Sequence, residues 1–359
     1  MAGLKVLMTT DTVGGVWTYA IDLCKALEPY DVEVHLMSMG ALVSKQQQQQ
    51  LNELKNVNFY ESNYKLEWMQ DARNDTAKAK KWITTIYNKV NPDILHFNNF
   101  GQTDGKWSCP VVTVYHSCVQ TWWQAVKGER PPGEWDWYTG ILKKAIDASD
   151  VIVFPSKGMQ VQAEALLGPL GETTIYNGRD LRLAGVPAKE DFILTAGRIW
   201  DEGKNIKLLC SIAPMLLWPV YVAGDNIDPA TGLEPKLENV ELLGKLSDSE
   251  MFAAMLKASI FIMPAKYEPF GLAVLEAANA CCALVLADIP TLREIWGDAA
   301  LYFDPFNEQA AIAITMLLIN DPVLRNEMSL KAQQRSKEYT AGKMADAYFG
   351  LYESLIRNN

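Results

Sequence analysis

Nine residues, Glu268-Pro-Phe-Gly-Leu-Ala-Val-Leu-Glu276, set two carboxylates on either side of a Pro-Phe-Gly turn. They follow the strand-like Ser259-Ile-Phe-Ile-Met-Pro264 and lead into an Ala-rich helical stretch. A buried strand that turns through Gly271 into a helix presents free backbone N–H groups at a positively polarised helix start, which suits a phosphate. Ionised carboxylates accept hydrogen bonds, so Glu268 and Glu276 beside such a start suit the hydroxyls of a sugar or ribose. The alternative is a buried core helix whose two acids are incidental.

Arg198 and Lys204 lie in Thr195-Ala-Gly-Arg-Ile-Trp-Asp-Glu-Gly-Lys-Asn205, directly after another strand pattern. An Arg fork and a Lys point charge spaced this way across a turn can converge on one diphosphate. Gly197 and Gly203 frame both cations on a loop at the expected carboxyl edge of a sheet, which favours that reading over a surface Arg and a helix-starting Lys. Gly14 and Gly15 follow the first strand pattern and allow close backbone approach to a phosphate or sugar. Their spacing matches neither the dinucleotide fingerprint nor the P-loop, and a plain tight turn explains them as well.

Three histidines are present. His35 sits inside a strand pattern and reads as a satisfied core or edge residue. His96 and His116 end strand patterns, and the carboxyl edge of a parallel sheet is where ligands bind. Either can hydrogen-bond a sugar hydroxyl or position a reacting group. Trp107, Trp122, Trp123, Trp135 and Trp137 crowd a Pro/Gly-bearing stretch that reads as loop-like. They suit stacking on sugar rings, or equally packing beneath a long loop.

These side chains need a scaffold, and the chain supplies two. Its 359 residues exceed one typical domain, with 49% hydrophobic and 21% charged residues. The net charge of −10 argues against nucleic acid. Up to Asp180 there are 17 Lys/Arg against 20 Asp/Glu, so the first half is the less acidic one and membrane contact is at most weak and peripheral. The start shows no signal-peptide pattern and no apolar run reaches about 18 residues, which implies a cytoplasmic protein. Six cysteines lack any C-x-x-C pair, so reduced thiols and no structural zinc are expected.

Short Val/Ile/Leu runs alternate with helical patterns throughout, the mark of an α/β protein with parallel sheets covered on both faces. Seven strand patterns lie between Leu4 and Tyr176 and six between Phe192 and Phe303, with turn-rich punctuation from Asn177 to Asp191. Domains are expected at 1–183 and 184–340. The stretch 341–359 is expected as an amphipathic closing helix that packs back toward the first domain. The Gln46 to Gln50 run has helical spacing and reads as a solvated helix face.

Taken together, Gly14-Gly15, His116 after Thr113-Val-Tyr115, Tyr176-Asn-Gly178, Gly197-Arg198 with Lys204, Leu242-Leu-Gly244 and the Glu268 to Glu276 segment resemble the retaining glycosyltransferases of family 4. The resemblance runs in order along almost the whole chain. It implies the GT-B fold, with two Rossmann-like doubly wound domains facing a central cleft. It implies a nucleotide-diphosphate sugar as donor substrate, no cofactor and no metal. Carried onto this sequence, Arg198, Lys204, Gly15, Gly271 and Leu272 would meet the diphosphate, and Glu276 the ribose. Glu268, Phe270, Gly271 and His116 would meet the donor sugar, while Leu243, Gly244 and Lys245 would border the base. Gly14, Gly15, Trp17, His96, Trp122 and Trp123 would line the acceptor side.

The resemblance further implies transfer of a hexose to a hydroxyl acceptor, a sugar or small glycoside, by same-face attack. His116, Glu268, Arg198 and Lys204 would serve that step. Ser117 follows His116 where family members commonly carry His-Asp. The missing charge weighs against an acid–base role for His116 and leaves positioning. A nucleotide-sugar 2-epimerase of the same fold, or a non-catalytic sugar-binding protein, are the alternatives.

Overall fold

The computed structural model describes residues 3–180, 188–228 and 232–358. The chain divides into two compact units: 1–124, 129–178 and 341–359 form one, and 179–340 with 125–128 the other. The junction expected at 183/184 falls outside the described residues.

The first unit holds strands β1 (Leu4–Asp11), β2 (Val32–Met39), β3 (Val57–Glu61), β4 (Ile94–Phe97), β5 (Val111–Val114), β6 (Val151–Phe154) and β7 (Thr173–Thr174). They pair in the order β3-β2-β1-β4-β5-β6-β7, all parallel. The near-continuous apolar run of each central strand buries both faces, which a parallel sheet requires because its crossover helices cover both sides. Leu7, Met37, Ile83, Leu95 and Phe97 form one such buried layer. The closing helix Ala341–Arg357 belongs to this unit and packs against the first helix, Gly15–Leu27. Tyr348 and Tyr352 are the largest side chains it buries fully, with Tyr348 beside Tyr19 of the first helix.

The second unit holds β8 (Glu190–Ala196), β9 (Val220–Ala223), β10 (Glu241–Gly244), β11 (Ala258–Met263), β12 (Ala283–Ala287) and β13 (Leu301–Phe303). Their order is β10-β9-β8-β11-β12-β13, again parallel. Ile193, Val222, Ile260, Ile262 and Val285 pack with Leu209 and Leu318 of the covering helices. Lys189 donates to the Ala280 carbonyl at 2.6 Å and the Met255 carbonyl at 3.1 Å. A cation placed on carbonyls at two helix ends satisfies acceptors there and complements both dipoles.

Each sheet reverses its winding once, between β1 and β4 in the first unit and between β8 and β11 in the second. Loops leaving neighbouring strands diverge at such a point and open a crevice at the carboxyl edge. The Gly14-Gly15 and Arg198 to Lys204 loops and the Glu268 segment all leave strands that flank a reversal.

The Trp-rich stretch differs from its loop-like expectation. Val119–Lys127 and Asp136–Ala148 are helices, joined through a short 3-10 turn at Gly133–Trp135. The Pro131-Pro132-Gly133 break separates two helices whose amphipathic spacing was masked by the density of aromatic residues. The glutamine run forms the helix Lys45–Asn52, closed at its start by a capping box between Ser44 and Gln47.

Backbone segments approach closely at Gly224, at the carboxyl edge of the second sheet. A Cβ there would stand 1.7 Å from the Gly197 carbonyl oxygen, and its φ of +143 is open only to glycine. Gly224→Ala is therefore expected to cost at least about 3 kcal/mol, read as a large drop in melting temperature. Gly140→Ala, in a helix with open space around the new methyl, serves as the control and is expected to leave stability unchanged or raise it by up to about 1 kcal/mol. Equal melting temperatures for the two variants would contradict the close approach.

Candidate active site

The second unit gathers the charged residues. Glu268 follows β11 in a turn held by Thr291, whose hydroxyl donates to the Glu268 carbonyl at 2.6 Å. Gly271 then starts the helix Leu272–Asn279 with a φ of +91, and a Cβ there would press on Val274 at 3.2 Å. The first intrahelical bonds run from Val274 and Leu275 back to the Gly271 carbonyl. The N–H groups of Gly271, Leu272 and Ala273 thus precede the helical ladder and are available to an anion.

The loop after β8 comes to the same place. Lys204 donates to Glu268 at 2.6 Å, and both side chains are nearly buried, 14% and 11% exposed. Backbone bonds join the two loops behind this pair: Lys266 N–H donates to the Gly203 carbonyl at 2.9 Å. Asn205 adds amide bonds to the Pro264 and Pro305 carbonyls at 3.0 and 2.9 Å. Arg198 is held differently. Its guanidinium reaches Asp201 at 2.8 Å and lies over the Trp200 ring, while Asp201 also accepts from Gly203 N–H.

Glu276 lies in the second turn of the helix and is paired with Arg179, which also reaches Asp248 at 3.3 Å. Burial pushes the Glu276 carboxyl upward in pKa, and the Arg179 guanidinium opposes that shift. Leu243 is 37% exposed on the edge strand β10, and the Gly244 carbonyl accepts from Gly224 N–H at 2.8 Å. Lys245 beyond it is an exposed cation 3.9 Å from Asp225.

In the first unit, Gly14 and Gly15 are exposed at the start of the helix that follows β1. His116 is half-buried after β5, with Nε2 2.8 Å from Asn98 Oδ1 and its ring edge-on to Tyr19. Burial, reinforced by His96, brings its pKa down to about 3, so the ring is neutral in ordinary buffers. Trp122 and Trp123 are half-buried on the helix Val119–Lys127, with ring centroids 5.9 Å apart.

Two acceptor-side expectations are corrected. His96 is fully buried, with Nδ1 2.6 Å from the Tyr352 hydroxyl of the closing helix, so it cannot touch a ligand directly. Its strand is central in the sheet, and the closing helix covers the face its ring occupies. Trp17 is 4% exposed, edge-on to Phe59, with its indole N–H given to Gln50 at 2.6 Å. It lies on the inward face of its helix. Trp107 likewise packs in the core with Tyr87 and Phe97. The Phe270 ring, 2% exposed, is an anchor against Tyr339, which leaves its backbone N–H as the group that could face a sugar. His35 is satisfied by Tyr60 and Glu33 as expected.

Sequence reasoning missed Asn98, Arg179, Asp201, Asn205 and Gly224. Asn98 and Arg179 carried a weak signal, since one ends a strand pattern and the other follows the Asn177-Gly178 turn. Thr9, the partner that orients Asn98, and Glu276, the partner of Arg179, lie far away in sequence, and no spacing rule links them.

Two Rossmann-like parallel units, each with its functional loops at a winding reversal, and a cation-and-carboxylate cluster at a helix start define a nucleotide-sugar-type transferase class. The profile described as Glycosyl transferases group 1 matches residues 182–335, and the one described as Glycosyltransferase Family 4 matches residues 13–183. The chain belongs to glycosyltransferase family 4, a family of retaining enzymes. The O-antigen biosynthesis glycosyltransferase WclY of Escherichia coli is 32% identical over 142 residues, 38% of this chain and 39% of that protein. The chain thus spans about half, or less, of the length of the first curated relatives it matches. The fold is similar to that of sucrose-phosphate synthase from Thermosynechococcus elongatus, with a TM-score of 0.81, 13% identity, and 99% and 100% of the two chains covered. The Anabaena protein HepE in complex with UDP-glucose is also similar, with a TM-score of 0.74, 16% identity, and 98% and 100% coverage. These neighbours are GT-B proteins, and the two parallel sheets with a closing helix against the first helix follow that plan. Among the described residues no helix is long and apolar enough to cross a membrane.

Arg179→Leu removes the cation that keeps Glu276 ionisable. The Glu276 pKa, already raised, is expected to rise further. A carboxyl whose folded pKa lies above its unfolded value gives its full stability below about pH 4.5 and loses it as pH rises toward the folded pKa. The stability deficit of the variant, followed by its melting temperature, should therefore widen from pH 4.5 to pH 8, reaching about 3 kcal/mol. A deficit that does not change with pH would contradict the pairing.

Proposed function

We propose that the protein transfers a hexose from a nucleotide-diphosphate sugar to a hydroxyl acceptor, a sugar or small glycoside, with retention and without a divalent metal. The observation that carries this reading is the Lys204–Glu268 pair beside the open N–H groups at Gly271 and Leu272. It joins, at one sheet reversal, a cation for the diphosphate and an acid for the sugar. Arg198 supplies the second cation, Glu276 the ribose acceptor, and the exposed β10 end at Leu243 to Lys245 a border for the base. The UDP-glucose in the structure of HepE fits a donor of this class.

In the proposed step the C1–oxygen bond to the distal phosphate breaks and a short-lived oxocarbenium ion forms. The acceptor hydroxyl attacks from the same face. Its proton passes to the departing phosphate oxygen, so the sugar leaves one oxygen for another and no external base is needed. The chemistry requires stabilisation of the charge that develops on the diphosphate. Lys204, Arg198 and the helix start provide it through preorganised groups. A neutral His116 with a pKa of about 3 is a poor base at physiological pH, which supports the phosphate as proton acceptor. Lys204 is shared with Glu268 before the donor arrives, so the diphosphate inherits a fixed ammonium rather than a mobile one.

The acceptor side is assigned to the first unit, where Gly14 and Gly15 give open backbone and Trp122 and Trp123 give half-exposed aromatic faces. Their helix is amphipathic, and the exposed part of each indole suits stacking on a sugar.

Glu268→Gln and Lys204→Ala are expected to reduce kcat/KM for transfer by at least 100-fold on the order of a lost oxyanion-type donor, while the protein remains folded. Rates near wild type in both would remove the site assignment. EDTA should leave transfer unchanged, and loss of activity that Mg²⁺ restores would contradict the metal-free step. Trp122→Ala and Trp123→Ala should raise the acceptor KM more than the donor KM, and equal effects would point to packing alone.

A further inference from the structure

Asn98 stands at the carboxyl end of β4 and is 7% exposed. One neighbour fixes which way its amide faces. Nδ2 donates at 2.7 Å to the Thr9 carbonyl, which can only accept, and this turns Oδ1 toward two imidazoles. His116 Nε2 lies 2.8 Å from that oxygen and His96 Nε2 3.3 Å. An amide oxygen has no proton to give, so Nε2 of His116 must carry it. In a neutral ring Nδ1 is then a bare acceptor. Among the described residues nothing bonds to His116 Nδ1.

His96 obeys the same constraint. The Tyr352 hydroxyl, 2.6 Å from His96 Nδ1, donates there and leaves Nε2–H for the Asn98 oxygen. Tyr19 reaches the same Nε2 at 3.3 Å. Two rings therefore give their Nε2 protons to one oxygen, and the chain of bonds ends in the closing helix.

We propose that Asn98 is a positioning residue: it locks His116 in the Nε2–H form so that Nδ1 accepts a hydrogen bond from a hydroxyl of a neutral donor sugar. This rests on the proposed transfer from a nucleotide sugar and on the donor-sugar contact that the family resemblance implies for His116. The consequence is a choice of substrate class. A sugar that brings a carboxylate or phosphate to Nδ1 sets lone pair against lone pair, whereas a hydroxyl is a donor. The ring also has no positive charge to offer an anion. Tyr19 from the first helix and His96 from β4 are the titratable groups that face it, with Tyr348 and Tyr352 of the closing helix packed behind them. None is an acid ionised near neutral pH. Asn98 thus fixes the tautomer without the charge that is missing at Ser117.

Nitrogen-15 spectra of the imidazoles test this, because the chain has three histidines and a His116→Gln sample assigns the signal. The free protein at pH 7 should show His116 protonated at Nε2 and bare at Nδ1. Asn98→Leu should shift it to the mixed tautomers of a free imidazole, and Asn98→Asp should keep Nε2–H while raising the pH at which the ring takes a second proton. Protonation at Nδ1 in the wild-type protein overturns the proposal, whether or not either variant folds. So does an unchanged tautomer in a folded Asn98→Leu. These spectra of the free protein do not depend on the transfer reading. UDP-glucose, ADP-glucose and GDP-mannose are then compared with their nucleotides. The sugar nucleotide that raises the melting temperature should move the Nδ1 signal, and its nucleotide should not. Equal effects overturn the sugar contact. Binding by none of the three overturns the donor reading and the sugar contact with it, while the tautomer result stands.

Discussion

The Lys204–Glu268 ion pair depends on two loops that leave neighbouring strands, β8 and β11, in a sheet that reverses its winding between them. Alone, a nearly buried ion pair is expensive to assemble, since both groups leave water. Here the backbone fixes the geometry before the charges meet: the Gly203 carbonyl takes the Lys266 N–H, and Asn205 ties the same loop to the Pro264 and Pro305 carbonyls. The Gly197–Gly224 approach closes the third side, because any side chain at Gly224 would push the β8 loop outward. The charged groups can be preorganised because the backbone beneath them has little freedom.

The same design appears in the first unit with different chemistry. Strands β1 and β4 flank its reversal, and Thr9 and Asn98, at or near their carboxyl ends, join through one side-chain hydroxyl and one amide. The polar network that follows runs inward through His96 to Tyr352. A buried network of this kind tolerates few errors, because a donor left without its acceptor in an apolar interior costs more than the bond itself contributes. The closing helix is therefore part of the first unit in a chemical sense as well as by packing. The second unit clusters ionised groups at a helix start, while the first holds neutral imidazoles with depressed pKa values.

Much of the fold was legible. The central strands among the described residues were readable as short apolar runs, because strands buried on both faces leave an unbroken apolar signature, whereas the edge strands β3, β7 and β10 are partly exposed and carry a weaker one. The closing helix followed from its i, i+3, i+4 spacing. The Trp-rich stretch was not legible, since Trp122 and Trp123 are adjacent on one helix and their bulk hides its periodicity. In the site, Glu268, Glu276, Arg198 and Lys204 were readable because each lies within a few residues of a glycine turn at a strand end. His96 and Trp17 were misassigned for a common reason: a position at a strand end or helix start is local, whereas the side a ring faces is set by what covers it.

By itself the sequence determined the residue types, the order of strands and helices, and the local turns that Gly14, Gly197 and Gly271 permit, because propensity and periodicity act over a few residues. The tertiary structure decided the pairings. That Lys204 would meet Glu268, Arg179 would meet Glu276, and Asn98 would stand between two histidines follows from strand order across the sheets. The Asn98–His116, Lys204–Glu268 and Arg179–Glu276 contacts join residues 18 to 97 positions apart, a range over which only the packed fold, and no local rule, brings side chains together.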